Sequence, residues 1–139
     1  MKVKDAMHNG VEWVEPATPL SKIAALMKKL DVGAIPVGEN DRLVGMVTDR
    51  DITCRGLADS KDCAKLTARD VMTKGIVYCQ ESEDLADAAR LMEQRKIRRL
   101  PVLNDSKRMV GMLSLGDISH AGPQTLTGEI MNAVSAHHG

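Results

Sequence analysis

The chain has 139 residues, of which 43% are hydrophobic and 27% are charged, a balance typical of globular domains. Its 19 basic and 19 acidic residues cancel, so no net field attracts nucleic acid or an anionic membrane. With one Trp, one Tyr and no Phe, the sequence also lacks the aromatic faces of a base-stacking platform. We therefore expect neither nucleic acid nor a membrane as partner.

Localisation is predicted from the N-terminus and the cysteines. Residues 1–10 contain no apolar run of signal-peptide length, and no stretch approaches the length of a membrane span. Cys54, Cys63 and Cys79 are odd in number and lack CxxC spacing, which argues against a disulfide framework and a zinc knuckle. We expect a cytoplasmic protein with reduced thiols.

The sequence contains an internal repeat. At a spacing of 65, Asp5 and Met7 align with Asp70 and Met72, and Pro36-Val37 aligns with Pro101-Val102. The spacing then becomes 66, and Val44-Gly45-Met46 matches Val110-Gly111-Met112. Because the two copies align from end to end, we interpret the chain as a duplication.

Both copies have the same predicted elements. A short apolar strand at 11–14 or 76–79 comes first. A helix follows, capped in the first copy by Thr18 with Pro19 at its first position, and its apolar residues recur at helical spacing. The stripe in the second copy contains Leu85, Ala88, Ala89 and Met92.

Each copy continues with two extended segments and a second helix. The segments 32–37 and 97–102 contain a proline, which predicts an edge or irregular strand. The strands 43–47 and 109–113 run into helices that begin at Thr48 and Ser114. We predict an α+β fold, because a strand, helix, strand, strand, helix unit buries its sheet under helices.

The repeat also predicts the division of the chain. The first copy spans residues 1–60, a linker spans 61–67, the second copy spans 68–120, and 121–139 form a tail. A short helix is expected near residues 127–131, which echo the opening of the second copy.

A hydroxyl residue and a carboxylate recur three residues apart at both strand ends. They are Thr48 and Asp51 in the first copy and Ser114 and Asp117 in the second. The commonest meaning of this spacing is a capping box that closes a helix. The same geometry can also bind a ligand, since the helix start attracts phosphate and the carboxylate can accept from ribose hydroxyls.

The doubled pattern, I/L-P-V followed by G-h-h-[ST]-x-x-D-I, resembles the CBS domain, which occurs in tandem as a Bateman module. The resemblance covers about residues 3–119, and the chain is similar to stand-alone bacterial CBS-pair proteins, including hypoxic response proteins. It implies two pseudo-symmetric repeats packed side by side, with small sheets covered by helices. It also implies adenosyl ligands in clefts between the repeats and pairing into a homodimer.

By this resemblance, each ligand contacts both copies. The first site, ranked higher, is expected to contain Thr18, Ile23, Val32, Gly33, Ala34, Arg98, Arg99, Met112, Ser114 and Asp117. The second is expected to contain Met46, Thr48, Asp51, Glu83, Ala88, Ile97 and backbone around Arg98. Glu83 stands where the other site has Thr18, and its carboxylate would repel a phosphate unless it turns to the ribose.

The ligand class follows from these side chains. Aliphatic walls would hold adenine, and Arg98 and Arg99 would meet phosphates. We therefore favour AMP or ATP and leave NAD and S-adenosylmethionine open. The predicted function is regulatory sensing through a conformational or dimer change, with an unidentified effector protein as a further partner.

Three other functions compete with this interpretation. A structural homodimer without ligand is the main alternative, because duplicated domains readily bury apolar helices against a second copy. A metal- or redox-responsive protein would have to gather His8, His120, His137 and His138 with the cysteines, since no HxxxH or CxxC spacing is present. An enzyme is disfavoured, because no Ser/His/Asp or Cys/His pattern is evident.

Overall fold

A computed structural model of the chain describes residues 1–10, 12–40, 42–59, 62–121 and 128. The helices are α1 (Val3–Ala6), α2 (Leu20–Leu30), α3 (Asp49–Asp51), α4 (Ala68–Val71), α5 (Leu85–Arg95) and α6 (Leu115–Ala121). The strands are β1 (His8–Asn9), β2 (Ala34–Glu39), β3 (Arg42–Thr48), β4 (Cys79–Gln80), β5 (Arg99–Leu103) and β6 (Met109–Ser114). A π-helical turn, Ile52–Leu57, continues α3, and a 3-10 turn covers Cys63–Lys65.

The chain forms two compact units that divide it differently from the sequence repeat. Among the described residues, unit 1 combines 1–10 with 77–121, and unit 2 lies within 12–76. The opening segment of each copy, residues 1–10 in the first and 68–76 in the second, thus packs with the body of the other copy. The repeat boundaries describe the sequence, whereas the packing exchanges the two opening segments.

Unit 1 is built on a four-stranded sheet in the order β1-β6-β5-β4. Strands β5 and β6 are antiparallel, and β1 adds to the far edge of β6 with His8 opposite Met112. The helices α1, α5 and α6 supply the apolar side chains that cover the sheet. The fully buried core members include Val3, Met92, Leu100, Leu113 and Ile118.

Unit 2 is built on the antiparallel pair β2 and β3. Single bridges extend this pair at both edges, from Val14 to Val37 and from Met46 to Thr73. The core lies under α2 and α4. Its members include Leu20, Ile23, Val37, Val47 and Val71.

The predicted helical stripes form α2 and α5, and both helices end at a residue in the left-handed region, Asp31 and Lys96. The predicted cap of α2 is wrong. Pro19 is the N-cap, and the Thr18 hydroxyl instead accepts from the Glu15 amide at 3.1 Å. Thr18 therefore closes the turn before the helix, where its oxygen satisfies a different donor.

Two strand predictions are modified. The segment predicted as a strand at 11–14 contributes a bridge at Val14, while the strand predicted at 76–79 is Cys79–Gln80. In unit 1 the strand that carries Pro101 is internal rather than at an edge, but it is irregular, as predicted, with a register shift between Val102 and Leu103. Pro101 is tolerated because β4 pairs only with Val102 and Leu103, so the missing amide falls outside that ladder.

Two glycines allow the opening segments to approach the sheets. A Cβ on Gly111 would lie 2.5 Å from the His8 carbonyl oxygen and 2.8 Å from Met7 Sδ. A Cβ on Gly45 would lie 3.0 Å from the Thr73 carbonyl oxygen and 2.7 Å from Met72 Sδ. The same kind of contact thus forms in both units. In each, a glycine of one copy receives the opening segment of the other copy.

The remaining predicted segments lie as follows. Within the predicted linker, Cys63 and Leu66 are half-buried against the core of unit 2. The helix expected near 127–131 lies outside the described residues, apart from Gly128. Among the residues that the structure describes, no helix is both long and apolar enough for a membrane span.

We expect Gly111→Ala to destabilise the protein by about 1–3 kcal/mol, because overpacking by one methyl group forces β1 away from β6. Urea unfolding measures the change. The matched control is Gly116→Ala in α6, where a Cβ would meet only Ser114 Oγ, at 3.6 Å. Equal midpoints for both variants would contradict the close approach of β1.

Candidate functional site

The junction of β3 and α3 is a capping box. The Thr48 amide donates to Asp51 Oδ2 at 2.9 Å, and the Asp51 amide donates to Thr48 Oγ1 at 3.1 Å. These bonds satisfy donors at the start of the helix that have no partner within it. Thr48 and Asp51 thus form the capping box that their spacing predicts, in unit 2.

Unit 1 repeats the same arrangement where β6 meets α6. The Ser114 amide donates to Asp117 Oδ2 at 2.8 Å, and the Asp117 amide donates to Ser114 Oγ at 3.1 Å. In both units one carboxylate oxygen is therefore committed to the cap. Any ligand contact by these acids has to use the other oxygen, Oδ1, or share Oδ2.

Burial separates these two acids from the other capping acids. Asp5 and Asp70 accept the equivalent amide bond at 2.8 Å, but their side chains are exposed. Asp51 and Asp117 are 9% and 7% exposed and are the buried charged residues of the described chain. Because burying a carboxylate is unfavourable without compensating partners, the hydrogen bonds of these two acids are needed to keep them buried.

The second oxygen differs between the two units. Asp117 Oδ1 lies 2.7 Å from His8 Nδ1, whereas Asp51 Oδ1 lies 4.0 Å from Arg55 Nε. The first distance is a direct contact, and the second exceeds hydrogen-bond length. Oδ1 of Asp117 therefore has a direct side-chain contact, whereas Oδ1 of Asp51 has an arginine only beyond hydrogen-bond distance.

The contact of His8 with Asp117 was not predicted from the sequence. His8 belongs to the first copy and reaches Asp117 only because β1 pairs with β6. The repeat alignment places His8 opposite Thr73, so the copies differ at this position. This difference between His8 and Thr73 was visible in the sequence. It points to a contact with Asp117 only once the exchange of opening segments is known.

Five residues predicted for the first site lie close together in unit 1. Arg99 is opposite Ser114, and the Leu115 amide donates to the Arg98 carbonyl at 2.8 Å. Met112 is half-buried on β6, and both arginine side chains are exposed. The structure thus brings together Arg98, Arg99, Met112, Ser114 and Asp117.

A corresponding group lies in unit 2. Ala34 is opposite Thr48, and the Asp49 amide donates to the Gly33 carbonyl at 3.0 Å. Met46 is buried on β3, while Val32 is 42% exposed. Gly33 and Ala34, predicted for the first site, are therefore direct neighbours of Thr48, which was predicted for the second. The expected combination of residues from different copies stays a prediction.

Other predicted site residues have structural roles. Ile23 and Ala88 are fully buried in the cores of their units, and Ile97 packs against the core of unit 1. Glu83 Oε1 accepts from the Gln80 amide at 3.1 Å. One carboxylate oxygen of Glu83 is therefore engaged in a local turn.

The cysteines differ in exposure and reactivity. Cys54 is exposed, Cys63 is half-buried and Cys79 is buried. Burial, together with the nearby Glu83 carboxylate, raises the pKa of the Cys79 thiol to about 12. Within the described part of the chain, no group of three or more His, Cys, Asp or Glu residues is arranged to hold a metal ion. His137 and His138 lie outside that part.

Comparison with known families decides the identity of the fold. The CBS domain model matches residues 3–55 and again 68–123. The chain belongs to the CBS-domain family. It is a CBS pair with the α+β fold that the resemblance implied.

Relatives of similar length support this assignment. The chain is 42% identical over 117 residues to CBS domain-containing protein YhcV of Bacillus subtilis, covering 84% of this chain and 82% of that protein. It is 33% identical over 132 residues to Hypoxic response protein 1 of Mycobacterium tuberculosis, covering 94% and 92%.

Solved structures also resemble this chain. Hypoxic Response Protein I with two coordinated zinc ions has a TM-score of 0.80 at 35% identity, covering 88% of this chain and all of that one (100%). CBSX2 in complex with AMP has a TM-score of 0.76 at 28% identity, covering 86% and 94%. The CBS pair of MJ0100 with 5-methylthioadenosine and S-adenosyl-L-methionine has a TM-score of 0.76 at 25% identity, covering 86% and 98%.

We expect a thiol reagent at pH 8 to modify Cys54 rapidly and Cys79 only after unfolding. With a pKa of about 12, only about one Cys79 side chain in ten thousand is the reactive thiolate at this pH. Peptide mapping by mass spectrometry locates the label, and Cys54→Ser removes the rapid phase. Rapid labelling of Cys79 in the folded protein would contradict this and favour a redox role.

Proposed function

We propose that this CBS pair is a regulatory module that binds an adenosyl ligand, most favourably AMP or ATP, at the capping acids of its units. The observation that carries the proposal is the pair of buried carboxylates, Asp51 and Asp117, each at the end of a strand beside an extended segment. CBSX2 with AMP and the MJ0100 pair with adenosyl compounds support this ligand class.

The ribose is the part of the ligand that these acids can recognise. A carboxylate accepts through two oxygens with about four lone-pair positions, so a cap bond leaves capacity for a hydroxyl donor. A hydrogen bond to a charged group contributes about 1.5–3 kcal/mol. Cap formation and ribose binding are therefore compatible in one side chain.

The charges of unit 1 favour a ligand that carries phosphate. Arg98 and Arg99 are exposed next to the strand end that holds Ser114. Guanidinium groups bind phosphate oxygens through paired donors, whereas they repel the sulfonium cation of S-adenosylmethionine. This contrast favours AMP or ATP over S-adenosylmethionine in unit 1.

Adenine would be held without aromatic stacking. Met46, Met112, Val32 and Ile97 offer aliphatic surface, and methionine adapts its shape to a flat ring. Thr18, Gly33 and Ala34 complete the proposed set through backbone and small side chains. We leave Ile23 out of it, because its side chain is fully buried in the core.

Regulation would follow from a shift in conformation. A ligand changes an equilibrium only to the extent that it binds the two states with different affinity. We propose that the bound ligand alters the geometry of the pair or of a homodimer, and that an effector protein reads the change. A cytoplasmic location stays a prediction, supported by three free cysteines.

A ligand-free structural role is the second candidate. The capping boxes satisfy both acids in part, and His8 contacts the remaining oxygen of Asp117. These contacts give the acids a purely structural purpose. Binding measurements separate the two functions.

We expect AMP or ATP at 10 to 100 times its dissociation constant to stabilise the protein by about 1.4–2.7 kcal/mol, read as a thermal shift.

In calorimetry, Asp51→Asn and Asp117→Asn should each weaken AMP binding at one site about tenfold or more. Asparagine keeps a carbonyl oxygen for the cap but removes the charge.

The matched control is Asp70→Asn, which alters an exposed capping acid with the same amide bond. It should leave the affinity unchanged. If no adenosyl compound binds, the ligand-free role is correct instead. If the double variant of Asp51 and Asp117 binds as tightly as the wild type, the assignment of ligand binding to these two acids is wrong.

A further inference from the structure

We infer that His8 competes with the ligand for the free oxygen of Asp117 and so makes Asp51 the stronger of the two ribose-binding acids. The inference rests on the proposed function and goes beyond it, because it ranks the two acids as acceptors for a ribose hydroxyl and names the residue that sets the ranking. The sequence alone had placed the Ser114 and Asp117 site first.

The first support is the geometry in unit 1. His8 Nδ1 lies 2.7 Å from Asp117 Oδ1, the oxygen that the cap leaves unused. The Asp117 side chain is 7% exposed, so the imidazole covers one of the few remaining approaches to that oxygen. A ribose hydroxyl that binds Asp117 through this oxygen has to displace His8 or share the oxygen with it.

The second support is that His8 is exposed enough to move away from Asp117. Its side chain is 79% exposed, so it can leave Asp117 without opening the core of unit 1. The contact is therefore a reversible competitor rather than a permanent block. A polar contact with one exposed partner of this kind changes an affinity by at most about fivefold.

The third support is the corresponding position in unit 2. Thr73 pairs with Met46 in the register in which His8 pairs with Met112. Gly45 and Gly111 receive the two opening segments in the same way. Thr73 thus occupies the backbone position of His8, but it carries a short neutral side chain in place of an imidazole.

The fourth support is the state of Asp51 itself. Its Oδ1 has Arg55 Nε at 4.0 Å, which attracts the carboxylate without a hydrogen bond. The Arg55 side chain is 53% exposed and donates at 3.4 Å to the carbonyls of Val71 and Met72. The guanidinium is thus held by the backbone, and Oδ1 of Asp51 retains capacity for a ribose hydroxyl.

The experiment measures AMP affinity by calorimetry, with one acid removed so that a single site is observed. In an Asp51→Asn background, His8→Ala should tighten AMP binding at the Asp117 site about two- to fivefold. His120→Ala removes another exposed histidine of unit 1 and should leave the affinity unchanged.

The reciprocal variant tests the same idea in unit 2. In an Asp117→Asn background, Thr73→His should weaken AMP binding at the Asp51 site about two- to fivefold. It also keeps the inference testable if His8→Ala disturbs the edge strand, because Thr73 pairs through its backbone. Urea midpoints of all variants establish that they are folded.

The outcomes distinguish the inference from the proposed function. Unchanged or weaker AMP binding in His8→Ala, or unchanged binding in Thr73→His, would overturn the role of His8 while the acid-dependent binding stands. If AMP, ATP and S-adenosylmethionine all fail to bind the wild-type chain, the proposed function fails, and the inference fails with it.

Discussion

The close approach of each opening segment to the sheet of the other copy is the constraint on which the structure depends. It is possible because Gly45 and Gly111 have no side chain where a carbonyl oxygen and a methionine sulfur lie within 2.5–3.0 Å of a would-be Cβ. The contact ties residues that are far apart in the sequence into one unit. It also brings His8 to Asp117 in unit 1, whereas in unit 2 it pairs Thr73 with Met46 on β3, the strand that leads to Asp51.

The two buried acids combine a structural and a proposed binding role. Each uses Oδ2 to close a helix, which orients the carboxylate rigidly and reduces its freedom before any ligand arrives. The exposed acids Asp5 and Asp70 close helices in the same way without burial. Helix closure therefore does not require a buried acid, and the proposed ligand binding would give the burial of Asp51 and Asp117 a purpose beyond capping.

Local patterns in the sequence were sufficient to predict much of the fold. The helical stripes, the paired strands and both capping boxes depend on residues a few positions apart, so spacing alone reveals them. The cap at Thr18 was predicted wrongly because the hydroxyl had two local donors to choose from, and spacing does not rank them. The exchange of opening segments was beyond reach for a different reason: both copies present an equivalent glycine, so the local pattern fits either partner. The contact of His8 with Asp117 depends on that exchange and was missed for the same reason.

The most direct test of this interpretation is a crystal structure of the chain grown with AMP. We expect electron density for the nucleotide with a ribose hydroxyl within hydrogen-bond distance of Asp51 Oδ1, and with both capping boxes intact. A nucleotide whose ribose lies away from both Asp51 and Asp117, or crystals without nucleotide at saturating AMP, would contradict the assignment of these acids to ligand binding.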